Sequence, residues 1–277
     1  MVIVSSMDLS DVPEAVAVLE SVGTLLRVSE ERAAIVAALR NADAFLTGAA
    51  VRVDDALLQA APRLRVIGAP STGTDHLDHV AIAARGITLF HLANERALLD
   101  TFTATSELAF ALLLALIRNI RPAMADAERG IWSRERHTGF QLFGKTFGVL
   151  GLGRLGTISA RIANGFGMRV IACDVRDVAA PDVTMVDVPT LLRESDVLSL
   201  HIHLTPETTG IIGVAALAAM KPGAILLNTS RGKIVDERAL LDALRSGHLG
   251  GAGLDVIDGE WLSVEERMRH PLIAYAR

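Results

Sequence analysis

The stretch FGVLGLGRLG, residues 147–156, constrains this chain more than any other. Gly151, Gly153 and Gly156 form a G-x-G-x-x-G directly after an apolar, strand-like run and directly before a helical pattern. In that context Gly151 permits a tight turn, Gly153 lets the backbone approach a pyrophosphate, and Gly156 lets the helix pack closely on the strand. The anion would meet the free amides and positive end of the helix opened by Arg154 and Leu155. Asp174 closes the next apolar run, MRVIACD, 18 residues beyond Gly156 (174 − 156). An acid there can accept hydrogen bonds from the adenosine ribose, which favours NAD over NADP. Arg176, two positions later, pulls the other way, because a guanidinium can meet a 2′-phosphate.

Apolar, β-branched runs alternate with helical patterns along the whole sequence, which predicts parallel sheets covered by helices. The first series places strands at 2–5, 25–28, 44–47, 65–69 and 87–90, with helices near 13–22, 30–40, 54–60 and 78–84. A long helical stretch follows from Asp100 to about Glu128, interrupted near Pro122, and then the polar loop GIWSRERHTG. A second series has strands near 146–151, 169–174, 197–202, 225–229 and 252–256. The predicted fold class is α/β: two parallel-sheet domains, Rossmann-like or flavodoxin-like, joined by a long helix. The domains would be residues 1–99 and 100–277.

Composition removes other classes. With 51% hydrophobic residues and 21% charged, the 277 residues can bury two cores. A net charge of −5, without a block of Lys or Arg, offers nothing to neutralise a nucleic-acid backbone. The longest apolar run, Leu108 to Ile117, is about half of what a bilayer span needs, so no membrane association is expected. The single Cys173 cannot form an internal disulfide and has no Cys or His cluster for a metal, and this fits a cytoplasmic protein without a metal site.

Four segments in order, STGTDHLD at 71–78, GKTFGVLGLGRLG at 144–156, LHIHLTPET at 200–208, and LLNTSRGKIVDERAL with GAGLDVIDGE across 226–260, resemble the D-isomer-specific 2-hydroxyacid dehydrogenases. This is the group of the phosphoglycerate dehydrogenase-like enzymes. The resemblance implies NAD as cofactor, a 2-hydroxy or 2-keto acid as substrate, and a homodimer formed through the long helix. It implies that residues 1–99 are the substrate domain and 100–277 the NAD-binding domain, with substrate held between them. It makes Arg231 the catalytic residue that fixes the substrate carboxylate and polarises the neighbouring carbonyl. Glu260 would be the second catalytic residue, raising the pKa of a histidine that donates the proton. Asp255 would lie on the nicotinamide side, His201 and Thr229 would line the cofactor cleft, and backbone amides at Ser71, Thr72 and Gly73 would grip the substrate. Two positions depart from the family pattern: His203, where proline is usual, and Leu108, where histidine is common. Arg134 and Arg136 in WSRERH could reach an anionic group of the substrate, although a solvated loop is the preferred reading.

The last stretch, HPLIAYAR at 270–277, ends within an apolar run with no cap or turn signal. Only 17 residues (277 − 260) follow Glu260, and none forms the TPHxG-like segment that carries the family's catalytic histidine. The expectation is a truncated dehydrogenase lacking that histidine and the C-terminal helix that returns to the first domain, with His270 no substitute. Two alternatives stay open: a non-catalytic NAD-binding module related to the C-terminal-binding corepressors, and a one-carbon oxidant of the formate dehydrogenase kind, ranked last.

Overall fold

The computed structural model describes residues 1–260 and 262–276. Arg277, the residue on which the expectation about the chain's end rests, lies outside the described residues. The chain divides into two compact units, Met1–Leu99 and Asp100–Arg277.

In the first unit the strands are β1 (Val2–Ser5), β2 (Thr24–Arg27), β3 (Ala44–Leu46), β4 (Val66–Ala69) and β5 (Thr88–His91). They pair in parallel in the order β2-β1-β3-β4-β5. Parallel neighbours require a crossover, and helices Pro13–Val22, Arg32–Leu39, Asp55–Gln59 and His79–Ala84 supply it. Asp54 and Asp78 start two of these helices by accepting the amides of Leu57 and Ala81, caps worth about 1 kcal/mol each. Val4, Phe45 and Ile67 from three adjacent strands meet Ile35, Leu39, Leu57 and Leu58 in one core. The β2 edge is different. Three of its four residues are exposed, and no residue of helix Pro13–Val22 is buried.

The second unit opens with helices Ala104–Ile117 and Ile120–Glu128. The break between them falls at Arg118 and Asn119, not near Pro122 as the sequence predicts. Asn119 takes a left-handed conformation with φ of 50°, which few residues other than glycine and asparagine adopt readily. Pro122 lies in the first turn of the second helix, where its missing N–H costs nothing. The stretch Ala97–Ile117 is long and apolar enough to cross a membrane by length and composition alone, and within it helix Ala104–Ile117 packs Phe110, Leu113 and Ile117 into a core of the second unit.

Six parallel strands follow: β6 (Thr146–Leu150), β7 (Arg169–Cys173), β8 (Val183–Met185), β9 (Val197–Leu200), β10 (Ile225–Asn228) and β11 (Gly251–Leu254), in the order β11-β10-β9-β6-β7-β8. The sequence reading lacks β8, a three-residue edge strand between Asp182 and Asp187 whose mostly apolar run, Val183 to Val186, is too short to stand out. Alternate residues of the central strands feed two cores. Leu198, Leu200 and Leu226 join Leu191 and Leu240 on one face, while Val149, Val197 and Leu227 join Phe110 and Leu113 on the other. Phe110 also stacks on Phe147 at 5.2 Å between ring centroids. Each fully buried leucine contributes about 1.5–3 kcal/mol, so the sheet is a rigid platform for whatever its strand ends carry. The order of strands reverses between β6 and β9, which opens a crevice at their carboxyl ends.

Candidate functional site

Strand register builds the site. Leu150 pairs with Cys173 and Leu200, and Asn228 pairs with Leu200 and Leu254, so these five residues form one row across the sheet. The next residue on each strand is therefore on the same rim: Asp174, Gly151, His201, Thr229 and Asp255, in that order across the sheet. With neighbouring strands about 4.8 Å apart, the rim spans about 19 Å.

At its centre Gly151 has φ of 94°, and a Cβ there would lie 2.7 Å from the carbonyl oxygen of His201 and 2.8 Å from Cγ2 of Ile202. A Cβ on Gly156 would lie 2.1 Å from the carbonyl oxygen of Gly151. Neither position admits a side chain, so the turn stays thin and helix Arg154–Gly165 starts directly behind it. In front of Gly153 the nearest atom to an added Cβ is Nη2 of Arg176, at 3.8 Å. Gly153 also caps the helix without a side-chain acceptor. The helix start is pinned elsewhere: Arg154 Nη1 donates to the Phe102 carbonyl (2.6 Å), and Ser106 Oγ donates to the Leu155 carbonyl (3.1 Å).

At the β7 end, Asp174 Oδ2 accepts from Leu152 N (2.8 Å) and Arg176 Nη2 (2.9 Å), and Oδ1 accepts from Arg176 N and Nε (2.9 Å each). The Arg176 hydrogen bond is the main reason the carboxyl is held down at about 2. Next along the rim, His201 Nε2 lies 2.9 Å from Ser199 Oγ, and burial pushes the imidazole down to about 4. His201 is thus neutral at physiological pH and serves as a hydrogen-bonding wall. Thr229 Oγ1 is buried without a hydrogen-bond partner. Such a group costs about 1–3 kcal/mol unless something reaches it.

Arg231 follows Thr229 on a turn that Asn228 shapes. Asn228 Oδ1 accepts from Ser230 N (3.0 Å), Asn228 Nδ2 donates to the Arg231 carbonyl (2.9 Å), and Ser230 Oγ donates to the Leu200 carbonyl (2.7 Å). Arg231 Nη1 donates to the Ser230 carbonyl (2.8 Å). A Cβ on Gly232 would lie 2.0 Å from the carbonyl carbon of Ile257, so this turn touches the 255–260 loop backbone to backbone. Within that loop Glu260 Oε1 accepts from Ile257 N (3.1 Å), and Asp255 N donates to the Asn228 carbonyl (3.0 Å) with its side chain exposed. Arg231 and Glu260 are therefore carried by two segments in direct contact. His270 is directed elsewhere: its Nε2 lies 2.9 Å from Oε2 of Glu237, whose Oε1 accepts from Asp258 N (2.7 Å). Burial pushes the Glu237 carboxyl up.

In the first unit the loop after β4 holds Ser71, Thr72 and Gly73. The Ser71 amide donates to the Ala69 carbonyl at 2.7 Å across Pro70. Ser71 Oγ donates to the Gly73 carbonyl (2.8 Å), and Thr72 is exposed. The WSRERH loop is anchored rather than reaching out. Arg136 Nε lies 3.2 Å from Oδ2 of the buried Asp126, which also takes Arg129 and His137. The hydrogen bond from His137 is the largest of the effects that lower the Asp126 carboxyl.

Sequence reasoning missed Asn228, Leu152 and Glu237. Asn228 left a signal, an asparagine at a strand end before Thr-Ser-Arg, where its side chain readily bonds the backbone two residues on. The other two act through a backbone amide and a distant pairing, which leave none.

The rim fits a dinucleotide on three counts: a thin glycine turn faced at Gly153 only by the Arg176 guanidinium, an acid at one end, and an orphaned buried hydroxyl two residues from Arg231. Comparison with known proteins agrees. The D-isomer specific 2-hydroxyacid dehydrogenase NAD binding domain matches residues 110–276, and the catalytic domain of the same family matches residues 2–129. The chain is 42% identical over 235 residues to a D-3-phosphoglycerate dehydrogenase of Mycobacterium leprae, covering 83% of this chain and 43% of that protein. It is 41% identical over 240 residues to a glyoxylate reductase of Thermococcus litoralis, covering 83% and 71% respectively. Among solved structures, D-lactate dehydrogenase from Aquifex aeolicus complexed with NAD and lactic acid superposes with a TM-score of 0.81 at 29% identity, over 100% of this chain and 85% of that one.

Proposed function

Because the chain belongs to the D-isomer specific 2-hydroxyacid dehydrogenase family, we propose that it interconverts a D-2-hydroxy acid and its 2-keto acid with NAD. The observation that carries this reading is the rim itself, where Asp174, Gly151, His201, Thr229 and Asp255 stand side by side at the strand ends. When bound, the nicotinamide supplies or removes the hydride. The chain's own residues do the rest. First-turn amides at Arg154 and Leu155 hold the pyrophosphate, Thr229 Oγ1 gains the partner it lacks, and neutral His201 walls the cleft without adding charge. Arg231 presents a fixed guanidinium to the substrate carboxylate and to the carbonyl on which negative charge develops. Glu260 acts as a positioning residue beside it for the group that moves the proton. In this reading residues 1–99 hold the substrate through the loop after β4, and residues 100–277 hold the cofactor.

A second reading is a non-catalytic NAD-binding module, in which the same rim holds the dinucleotide and His270 stays paired with Glu237. Assembly as a homodimer and residence in the cytoplasm complete the proposal. The first is supported by Met124 and Trp132, which are 60% and 88% exposed on and just after helix Ile120–Glu128.

The test mixes the protein with NADH and a panel of 2-keto acids and follows absorbance loss, alongside NADH fluorescence on binding. Turnover that falls about 10²- to 10³-fold in Arg231→Ala, with NADH still bound, is the expected result. Tight NADH binding without oxidation of any panel member selects the second reading, and no NADH binding defeats both.

A further inference from the structure

We propose that Arg176 makes this site accept a 2′-phosphate, so that the protein binds NADP as well as NAD. The inference rests on the dinucleotide reading above. A carboxylate at this strand end ordinarily selects NAD twice over, by accepting the ribose hydroxyls and by repelling a phosphate. Asp174 does neither freely. A carboxylate has about four acceptor positions, and all are taken, three by Arg176 through N, Nε and Nη2 and one by Leu152 N. The Asp174 and Arg176 side chains together carry no net charge, and they are arranged unequally. The acid's side chain is 6% exposed, while the guanidinium is 58% exposed and outermost. An incoming ribose therefore meets the cation first.

The guanidinium is also placed over the turn. Nη2 of Arg176 lies 3.4 Å from the Leu152 carbonyl and 3.8 Å from where a Gly153 Cβ would be. Within 4 Å of an added Gly153 Cβ the guanidinium is the one group found among the described residues, and Val175 between the pair is fully exposed. With Nε and Nη2 engaged by Asp174 and the Leu152 carbonyl, Nη1 keeps its two N–H groups for a phosphate while the clamp on Asp174 stays in place. Arg176 thus offsets the repulsion that Asp174 would exert on a 2′-phosphate. It also competes with the ribose hydroxyls of NAD for the same oxygens.

Isothermal titration calorimetry on the intact protein tests this without turnover, using ADP-ribose, 2′-phospho-ADP-ribose, NAD and NADP. The wild type should bind the phosphorylated and plain ligands within about tenfold of each other. Arg176→Ala should weaken the phosphorylated pair about 10- to 100-fold, the loss expected for one or two charge-assisted hydrogen bonds. The plain pair should stay level or tighten. Arg176→Met, which keeps the aliphatic stem, should behave the same way, and thermal unfolding of both variants checks that they fold. NAD bound at least 100-fold more tightly than NADP by the wild type, with that ratio unchanged in both variants, overturns the inference and leaves the dinucleotide reading intact. Failure to bind any of the four overturns both.

Discussion

At the β7 end of the second sheet's rim, Asp174 collects four donors and its carboxyl is held at about 2. At the β10–β11 end, Glu237 meets one amide and one imidazole, and burial pushes its carboxyl up. The two ends belong to one rigid sheet, yet one is organised by charge and the other by close backbone packing. The difference teaches how a single platform divides its tasks. The charged end is set before any ligand arrives and keeps its ionisation through the physiological range. The packed end, where the Arg231 turn rests on the Ile257 backbone, holds its geometry only as long as nothing is added between the two loops.

The strongest way to break this comparison is Gly232→Ala, whose Cβ would stand 2.0 Å from Ile257 C. Overpacking of this kind costs about 1–3 kcal/mol. Displacing Arg231 should lower turnover by roughly 100-fold. Urea unfolding and steady-state kinetics read these two effects. ADP-ribose affinity, a property of the β7 end, should not change, and an equal loss there would show that the ends are not separable. Asp174→Asn sharpens the other side. Because the Asp174 pKa falls from 3.8 unfolded to about 2 folded, its stabilisation is complete above the unfolded value and is lost as pH drops toward 2. The gap in unfolding free energy between wild type and variant should therefore be widest near neutrality and shrink through the acid limb. A gap independent of pH would remove charge as the organising principle of that end. The smallest expected effect comes from Thr229→Val, between the two. Removing an orphaned hydroxyl should raise stability by about 1 kcal/mol in thermal unfolding. The same change should weaken dinucleotide binding a few-fold, opposite signs that a purely structural threonine would not give.

What was legible in the sequence was local. Strand runs such as TFGVL and VLSL announce themselves by apolar density, and the glycine turn by its place between strand and helix. From these the α/β class follows. The helix break was misplaced because proline is a louder signal than an asparagine in a left-handed conformation. β8 was missed because only three residues pair with β7, too short a run to register as a strand. Within the site, Asp174 and Arg176 are two residues apart, and both were readable as groups near a ribose. Their mutual clamp was not, since it depends on the turn that brings Leu152 alongside. The His270–Glu237 pair joins residues 33 positions apart (270 − 237), and only the packed chain puts them together. Register supplied the remaining information: no sequence pattern says that Leu150, Leu200 and Asn228 lie in one row.

The bare edge of the first sheet has its own consequence. β2 is held by β1 alone, and the helix beside it buries none of its residues. Protection of backbone amides follows burial and the number of neighbours. That corner should open at a lower free-energy cost than the centre of its unit, with its amide protons trading with water before those of β3 and β4.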